Sequence, residues 1–380
     1  MRGWSGCALR HRGSRSTMAA MVADALLDAL DRLRNTGPEF NSFLANHGPM
    51  AAEAIVQLGA DDEVAGWVDR YRTQLTPEPE PRDRIAVDQW RSRLGDVRFV
   101  GDWTVLFEQE IAETGWRQTL IRWWPRLLPG LSASATHGMI RTAHAVRSLA
   151  APGSGGDSAL AALDAELARG LGLWAARYQL LPGAPALTGP ADAVSAMAAL
   201  PRLDPAVPSA GPGIGGRLAS LQTLPDLPAA MDEWGAPVDP EAAITAMVSA
   251  AARVVAARDD APIAFCHAVT APAALRLVLP VLPADLHVAT VSHGWQVVSG
   301  LIAAFAAPPD VGERIKRDVD PAPLLAELGA RAVEHGDEHV IKLAEAALRE
   351  YRISGDTTVL VGADRFRGRI ERPERPVPLG

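Results

Sequence analysis

Apolar and polar positions follow a helical repeat along most of the chain. In the first such segment Val22, Leu26, Leu30 and Leu33 fall on one face of a helix. The same repeat, ended by Gly, Pro and capping residues, predicts helices over residues 18–35, 46–59, 64–75, 160–181, 241–257, 271–282 and 321–351. Residues 90–128 also follow helical periods. A short run over 357–361 predicts a terminal strand instead.

Two stretches interrupt this pattern. Residues 76–81 form an acidic, Pro-rich exposed connector, and residues 181–238 form an irregular Pro- and Gly-rich excursion. No strand-helix alternation indicates a doubly wound sheet, and no internal repeat indicates a solenoid. We therefore predict a mainly α protein, with a single large helical domain over 18–365, irregular Pro/Gly-rich loops and few or no strands. Residues 1–17 are predicted to be a disordered N-terminal extension, and residues 366–380 a C-terminal tail.

Composition narrows the possible partners. The chain of 380 residues is 48% hydrophobic and carries a net charge of −8, so it can bury a large core but lacks the basic surface that nucleic acid requires. No apolar run reaches the roughly 18 residues that span a bilayer, so no membrane segment is expected. Cys7 and Cys266 lie far apart and are expected to be free thiols in the cytoplasm.

Arginine has displaced lysine almost everywhere, because only Lys316 and Lys342 occur in the chain. Codon usage in a GC-rich genome explains the displacement. Each remaining lysine is nevertheless a position where arginine does not serve, since a buried amine can lose its proton and a guanidinium cannot.

Five of the nine histidines have apolar neighbours and are candidate metal ligands: His47, His137, His144, His267 and His339. For any one of them, a hydrogen bond to the backbone is the alternative. His137 and His144 pose a difficulty, because seven residues of helix rise about 10.5 Å. One hypothesis is that Gly138 lets His137 sit in a turn before a helix that begins near Met139.

His339 and Lys342 are three residues apart on one predicted helix and so share a face. If Lys342 is buried, its amine can become neutral and add carbon dioxide to form a carbamate, an oxygen ligand for a metal. The alternative is a lysine at the helix periphery with its charge in water. The glycine-rich segment 211–216 is not a nucleotide-binding loop, because no strand precedes it and Pro212 interrupts it.

From about Asn46 to Ala346 the chain resembles the questin oxidase-like family, whose fungal members oxidise or open anthraquinone-type polyketides. The resemblance is carried by these segments together: Asn46–Ala54, Trp123–Gly130, His137–Arg147, Glu166–Ala168, Leu173–Tyr178, His267–Pro272 and His339–Lys342. It implies a mainly helical oxidoreductase with Fe(II) held by four histidines and a carboxylated lysine. The implied ligands are His47, His137, His144, His267 and Lys342.

The resemblance also implies the remaining parts of a site. His339 would be a catalytic partner or a substitute ligand, and Arg141 would hold a phenolate or carboxylate. Trp123, Trp174 and Tyr178 would wall an aromatic pocket, with core packing as the alternative. The expected partners are a small aromatic substrate and dioxygen. NADPH is a further possible cofactor, used through an external reductase or an unusual site, in a Baeyer-Villiger-type oxidation. A non-catalytic helical protein with a structural metal is the alternative of another class.

Overall fold

The protein is described from a computed structural model that covers residues 24–86, 88–151, 156–307 and 319–373. It confirms the mainly α fold class, since the described strands are two residues long each. The helices are α1 (24–33), α2 (Gly48–Gln57), α3 (Asp61–Tyr71), α4 (Val100–Thr114), α5 (Trp116–Leu127), α6 (His137–Ala150), α7 (Asp157–Ala176), α8 (Ala193–Ala199), α9 (Gly213–Ala219), α10 (Leu227–Met231), α11 (Pro240–Ala257), α12 (Pro262–Val278), α13 (His287–Phe305), α14 (Ala322–His335), α15 (Glu338–Ser354) and α16 (Thr357–Arg369). Strands β1 (Glu39–Phe40) and β2 (Leu44–Ala45) pair antiparallel as a small hairpin.

Most predicted helices are present. The exposed connector lies between α3 and α4, and short helices α8, α9 and α10 occupy the irregular 181–238 excursion. The 321–351 segment is two helices rather than one. Gly336, with φ of 87°, ends α14, and the Asp337 side chain then caps α15 by accepting hydrogen bonds from the backbone of His339 and Val340.

The predicted strand at 357–361 is wrong. Asp356 accepts a hydrogen bond from the Thr358 backbone and starts α16, whose apolar side chains Leu360 and Phe366 are fully buried. The cap and the buried helical face outweigh the β-branched composition of this run. Helix α16 therefore continues past the expected domain boundary at residue 365. The predicted extension over 1–17, with Cys7, lies outside the described residues, as do 374–380 of the predicted tail.

Helices α2, α6, α12 and α15 contact one another at the centre of the fold. Helices α4 and α7 pack beside α6, and α11, α13 and α16 pack around α12 and α15. Each central helix is thus covered on most sides, which explains why polar residues such as Glu53, His267 and Lys342 are buried on them. Any chemistry at this centre takes place away from bulk water.

Within the described part of the chain, three helical segments are long and apolar enough to cross a membrane by length and composition, namely Pro240–Ala257, Pro262–Val281 and Ala284–Phe305. This differs from the expectation that no segment reaches that length. In the folded chain 50%, 83% and 72% of these windows are buried, respectively. Much of the apolar surface of these three segments is therefore buried against neighbouring helices.

Gly138 allows α6 and α7 to approach closely, rather than forming the hypothesised turn. A Cβ atom at this position would lie 2.5 Å from Trp174 Cα and 2.8 Å from its backbone nitrogen. The turn lies just before it, where Ser134, Ala135 and Thr136 have φ of 49°, 53° and 75°. Helix α6 consequently begins at His137 itself.

We predict that Gly138→Ala lowers the free energy of unfolding by about 1–3 kcal/mol, because two helix backbones must separate to admit a methyl group. Gly66→Ala is the matched control. Gly66 is exposed inside α3 and its Cβ would meet only the Arg70 guanidinium, at 3.5 Å, so we expect about 0.5–1 kcal/mol of stabilisation. Urea unfolding followed by circular dichroism measures both, and equal effects would contradict the close α6–α7 contact.

Candidate metal centre

Four imidazole rings converge where the central helices meet. His47 precedes α2, His137 begins α6, His267 lies in α12 and His339 lies in the first turn of α15. The His47 ring centroid is 4.3 Å from that of His137 and 4.6 Å from that of His339, and the His137 and His267 centroids are 4.4 Å apart. Each central helix therefore contributes one histidine to a single cluster.

The His137 and His267 rings are fixed at Nδ1 by the turn that precedes α6. His137 Nδ1 lies 2.5 Å from the Ser134 carbonyl oxygen, and His267 Nδ1 lies 3.2 Å from Thr136 Oγ1. Since a carbonyl oxygen only accepts, His137 Nδ1 donates and its Nε2 carries a free lone pair. The left-handed backbone of residues 134–136 places both partners, and its conformational cost is of the kind often found at functional sites.

The other two rings are approached at Nδ1 by the carboxylate of Glu338. Its Oε1 atom is 3.8 Å from His47 Nδ1 and 3.7 Å from His339 Nδ1. Tyr71 also fixes the His47 residue, because its hydroxyl oxygen accepts the His47 backbone N–H at 2.8 Å and lies 3.4 Å from Nδ1. Oxygen atoms at Nδ1 orient metal-binding imidazoles and leave Nε2 for the ion.

The Nε2 atoms of the cluster are arranged as they would be around a bound cation. His47 Nε2 and His137 Nε2 are 2.6 Å apart, so two lone pairs would repel there unless a proton or a metal ion lies between them. His267 Nε2 is buried and has no hydrogen-bond partner among the described residues. His47, His137 and His339 each offer a nitrogen within 4.8 Å of the others. The donor set suits iron, zinc or copper, and thus fits the implied iron.

Burial keeps these histidines neutral. Desolvation, followed by the charges of Lys342 and neighbouring histidines, lowers the pKa of His47 and His339 well below the usual value and that of His137 to about 3. Desolvation also lowers the pKa of His267. Neutral imidazole is the form that binds a metal, so the cluster is ready to coordinate at pH 7.

Lys342 lies one turn beyond His339 on α15 and is 2% exposed, so its charge is not in water. Its Nζ atom has no hydrogen-bond partner among the described residues, and burial lowers the pKa of its amine to about 8. Carboxylation of this amine stays a prediction. Burial also raises the pKa of the neighbouring Cys266 thiol to about 12, and this cysteine forms no disulfide.

The structure does not bring His144 to the cluster. Its Nδ1 lies 2.8 Å from Glu53 Oε2, and Arg147 binds the same carboxylate and that of Glu345. The physical reason is the helix rise between His137 and His144, two turns along α6. His339, which the sequence left as a partner or substitute ligand, takes the fourth position.

Arg141 does not have the predicted substrate-binding position. Its Nε and Nη2 atoms donate to Glu166 at 2.6 and 2.8 Å in a buried ion pair between α6 and α7. It does not line the cavity that reaches the histidines. Sequence alone did not identify Glu166 as its partner, although both residues fall in segments that carry the family resemblance.

A cavity of about 730 Å³ ends at the four histidines. Tyr178 lines it, and its role in a substrate pocket stays a prediction. Trp123 and Trp174 do not line it: the Trp123 ring packs against Trp90, Trp103 and Phe107, and Trp174 Nε1 donates to the Gly130 carbonyl at 3.0 Å. These two tryptophans belong to the core, which was the alternative.

Several lining residues were missed by sequence reasoning. They come from the β1–β2 hairpin, from the end of α7, from the glycine-rich segment and from α12 and α13, and include Glu39, Phe43, Arg177, Gln179, residues 211–216, Ile263 and Phe305. Among these, only the glycine run 211–216 stood out in the sequence, and it predicted part of an irregular loop.

A second, polar cavity of about 950 Å³ is lined by Tyr71 and Glu338, the residues that approach His47 from its Nδ1 side.

Comparison with known proteins gives one family match. The sequence model of the questin oxidase-like family matches residues 44–152, which contain His47 and His137 but not His267, His339 or Lys342. No curated protein matches the chain. The family suggests an oxidoreductase that acts on polyketide substrates. The match supports the resemblance found from the sequence, and over residues 44–152 the chain is similar to the questin oxidase-like family.

Proposed function

We propose that the chain is a non-haem, iron-dependent oxygenase that oxidises or cleaves the ring of an aromatic polyketide of the anthraquinone or hydroquinone type. The observation that carries the proposal is the convergence of four buried, neutral imidazoles on the wall of a largely apolar cavity. The cavity volume falls in the range of about 300–1,000 Å³ that is typical of small-molecule sites. The family match supports the coarser part of the proposal, an oxidoreductase that acts on polyketide substrates.

His47, His137, His267 and His339 would hold the ion. Lys342, buried one turn beyond His339 on α15, is the proposed further ligand if carboxylated. Ferrous iron at this site would supply the electron exchange that activates dioxygen towards an electron-rich ring. Ser134 and Thr136 hold the His137 and His267 rings through hydrogen bonds at Nδ1. The Glu338 carboxylate lies near the Nδ1 atoms of His47 and His339, so oxygen atoms surround the side of each ring that faces away from the proposed ion.

The residues that line the cavity determine which ligands can contact the histidines. Phe43, Tyr178, Ile263 and Phe305 give apolar contact surface and exclude water. The proposed site lines this cavity rather than being enclosed by protein on all sides, and this favours a catalytic centre over the alternative of a closed structural metal.

The electron requirement separates the two possible oxidations. Insertion of both atoms of dioxygen in a ring cleavage needs no external electrons. Insertion of one atom, as in a Baeyer-Villiger-type oxidation, leaves the other atom as water and needs two electrons, from NADPH or an external reductase. Both electron sources stay predictions, and turnover with and without NADPH distinguishes the two reactions.

Iron content tests the ligand assignment. We expect about one iron per chain in protein loaded anaerobically with ferrous salt, and a loss of most of it in His267→Ala, because His267 Nε2 has no role in the described fold other than as a ligand. Plasma mass spectrometry measures the metal.

The matched control is His144→Ala, which removes an equally buried histidine that is bound to Glu53. It should keep its iron, although it loses stability. Circular dichroism verifies that both variants fold. Iron lost from His144→Ala but kept in His267→Ala would contradict the cluster described here.

Carboxylation of Lys342 has a direct spectroscopic test. In protein loaded with ¹³C-labelled bicarbonate, we expect a carbamate carbon signal by NMR that is absent from Lys342→Arg, since a guanidinium does not add carbon dioxide. Lys342→Ala should lose iron, and acetate should restore part of it by supplying the missing oxygen ligand. Unchanged iron in both variants would argue that Lys342 is not a ligand.

Acid should destabilise the metal-free protein through the cluster. Burial lowers the pKa of His137 to about 3 in the folded chain, whereas an exposed histidine in the unfolded chain has a pKa of about 6.5, so below pH 6.5 the unfolded chain gains a proton that the folded chain does not. The free energy of unfolding then falls by about 1.4 kcal/mol per pH unit for each such histidine. Urea unfolding at pH 7 and pH 5.5, with a chelator present, measures this slope.

The control is His137→Gln, whose slope should be shallower. Glu338 acts with the opposite sign, because burial raises its pKa to about 7 in the folded chain and its protonation stabilises the fold as the pH falls. Because Glu338 is present in both proteins, the difference between the wild-type slope and the His137→Gln slope gives the contribution of His137. Identical slopes would mean that His137 is not buried in neutral form.

A further inference from the structure

The glycine-rich segment 211–216 forms one wall of the cavity, and the proposed chemistry gives it no role. Gly213 is needed by the backbone, because its φ is 61° and its Cβ would lie 2.9 Å from the Phe43 ring. Gly216 is needed as well, since a Cβ there would lie on the Gly211 carbonyl. Both glycines are therefore explained by the fold.

Gly215 is not explained in this way. Its φ lies outside the left-handed region, and the nearest atom to a Cβ there is Gln179 Oε1 at an ordinary 3.5 Å. A glycine within helix α9 costs about 0.5–1 kcal/mol relative to alanine. The position is also fixed, because Gln179 Nε2 donates to the Gly215 carbonyl at 3.0 Å. A side chain at residue 215 would therefore start in ordinary contact with Gln179 on the cavity wall, and its absence does not serve the backbone.

The charge of the cavity restricts the ligand further. Among its described lining residues other than histidine, the charged side chains are Glu39 and Arg177. They bind each other through two hydrogen bonds, of 2.8 and 2.5 Å. The walls thus present no unpaired charge, a condition that favours a neutral ligand.

We propose that Gly215 is a specificity-determining residue: its lack of a side chain keeps the cavity wide enough for a flat, uncharged ligand of several fused rings. The inference rests on the proposed function in taking this cavity as the substrate site. A larger side chain at residue 215 narrows the cavity between segment 211–216 and Gln179. One-ring compounds still fit, and fused-ring compounds do not.

The test is binding of two probes, 1,8-dihydroxyanthraquinone and hydroquinone, followed by quenching of tryptophan fluorescence. In Gly215→Leu we expect the affinity for the three-ring probe to fall about 10–100-fold, with the affinity for hydroquinone unchanged. Iron content should match the wild type, and the melting temperature should not fall below it, because glycine is the less favourable residue within a helix. Gly66→Leu, a glycine substitution on the exposed face of α3, is the control and should bind both probes normally.

Unchanged affinity of Gly215→Leu for the three-ring probe overturns the inference and leaves the proposed function standing. If Gly215→Leu is unstable, Gly215→Ala is measured instead, and an equal loss of both probes then marks a structural role and also overturns it. A wild-type protein that binds neither probe overturns both proposals. Selective loss in a protein that holds no iron supports the inference and refutes the iron-dependent function.

Discussion

A continuous series of ion pairs, most of them buried, fixes how the four central helices lie against one another. Arg147 of α6 joins Glu53 of α2 to Glu345 of α15, with 2.6 Å between Arg147 Nη1 and Glu345 Oε1. Further along α15 the series continues to α12 and α11 through Arg349, Glu350, Arg276 and Glu241. Such pairs add little net stability over apolar packing, but removal of one partner costs about 3–5 kcal/mol because a charge is left unpaired.

The helices joined by these ion pairs also carry the four histidines. The ion pairs therefore affect the geometry of the histidine cluster. On α6, His137 lies at the helix start and Arg147 lies near its end. On α15, His339 lies at the start and Glu345 follows on the next turns. A helix that slid along its axis would break both sets of contacts. The ion pairs therefore fix the register in which the Nε2 atoms meet, while the oxygen atoms around Nδ1 fix the ring orientations.

Hydrophobic periodicity was sufficient to predict the fold class and most helices, because the amphipathic repeat is a local property. It missed the break at Gly336 and the helix after Asp356, where a single glycine or cap decides the outcome. The candidate ligands were identified by residue type. The choice between His144 and His339 needed tertiary structure, although the helix rise already weighed against His144. Glu39 and Arg177 gave no sequence signal, because they meet only through the folded hairpin.

The four imidazoles come from distant parts of the chain. His47 and His137 are 90 residues apart, and Thr136 and its partner His267 are 131 residues apart. Contacts of such long range form late in folding, after the loops between them have closed. Unlike the ligands of a zinc finger, which lie within one short segment and fold around their ion, these ligands meet only once most of the core is assembled. An ion at this centre would therefore load onto a folded protein rather than direct its folding, and the cavity that the histidines line would be its route.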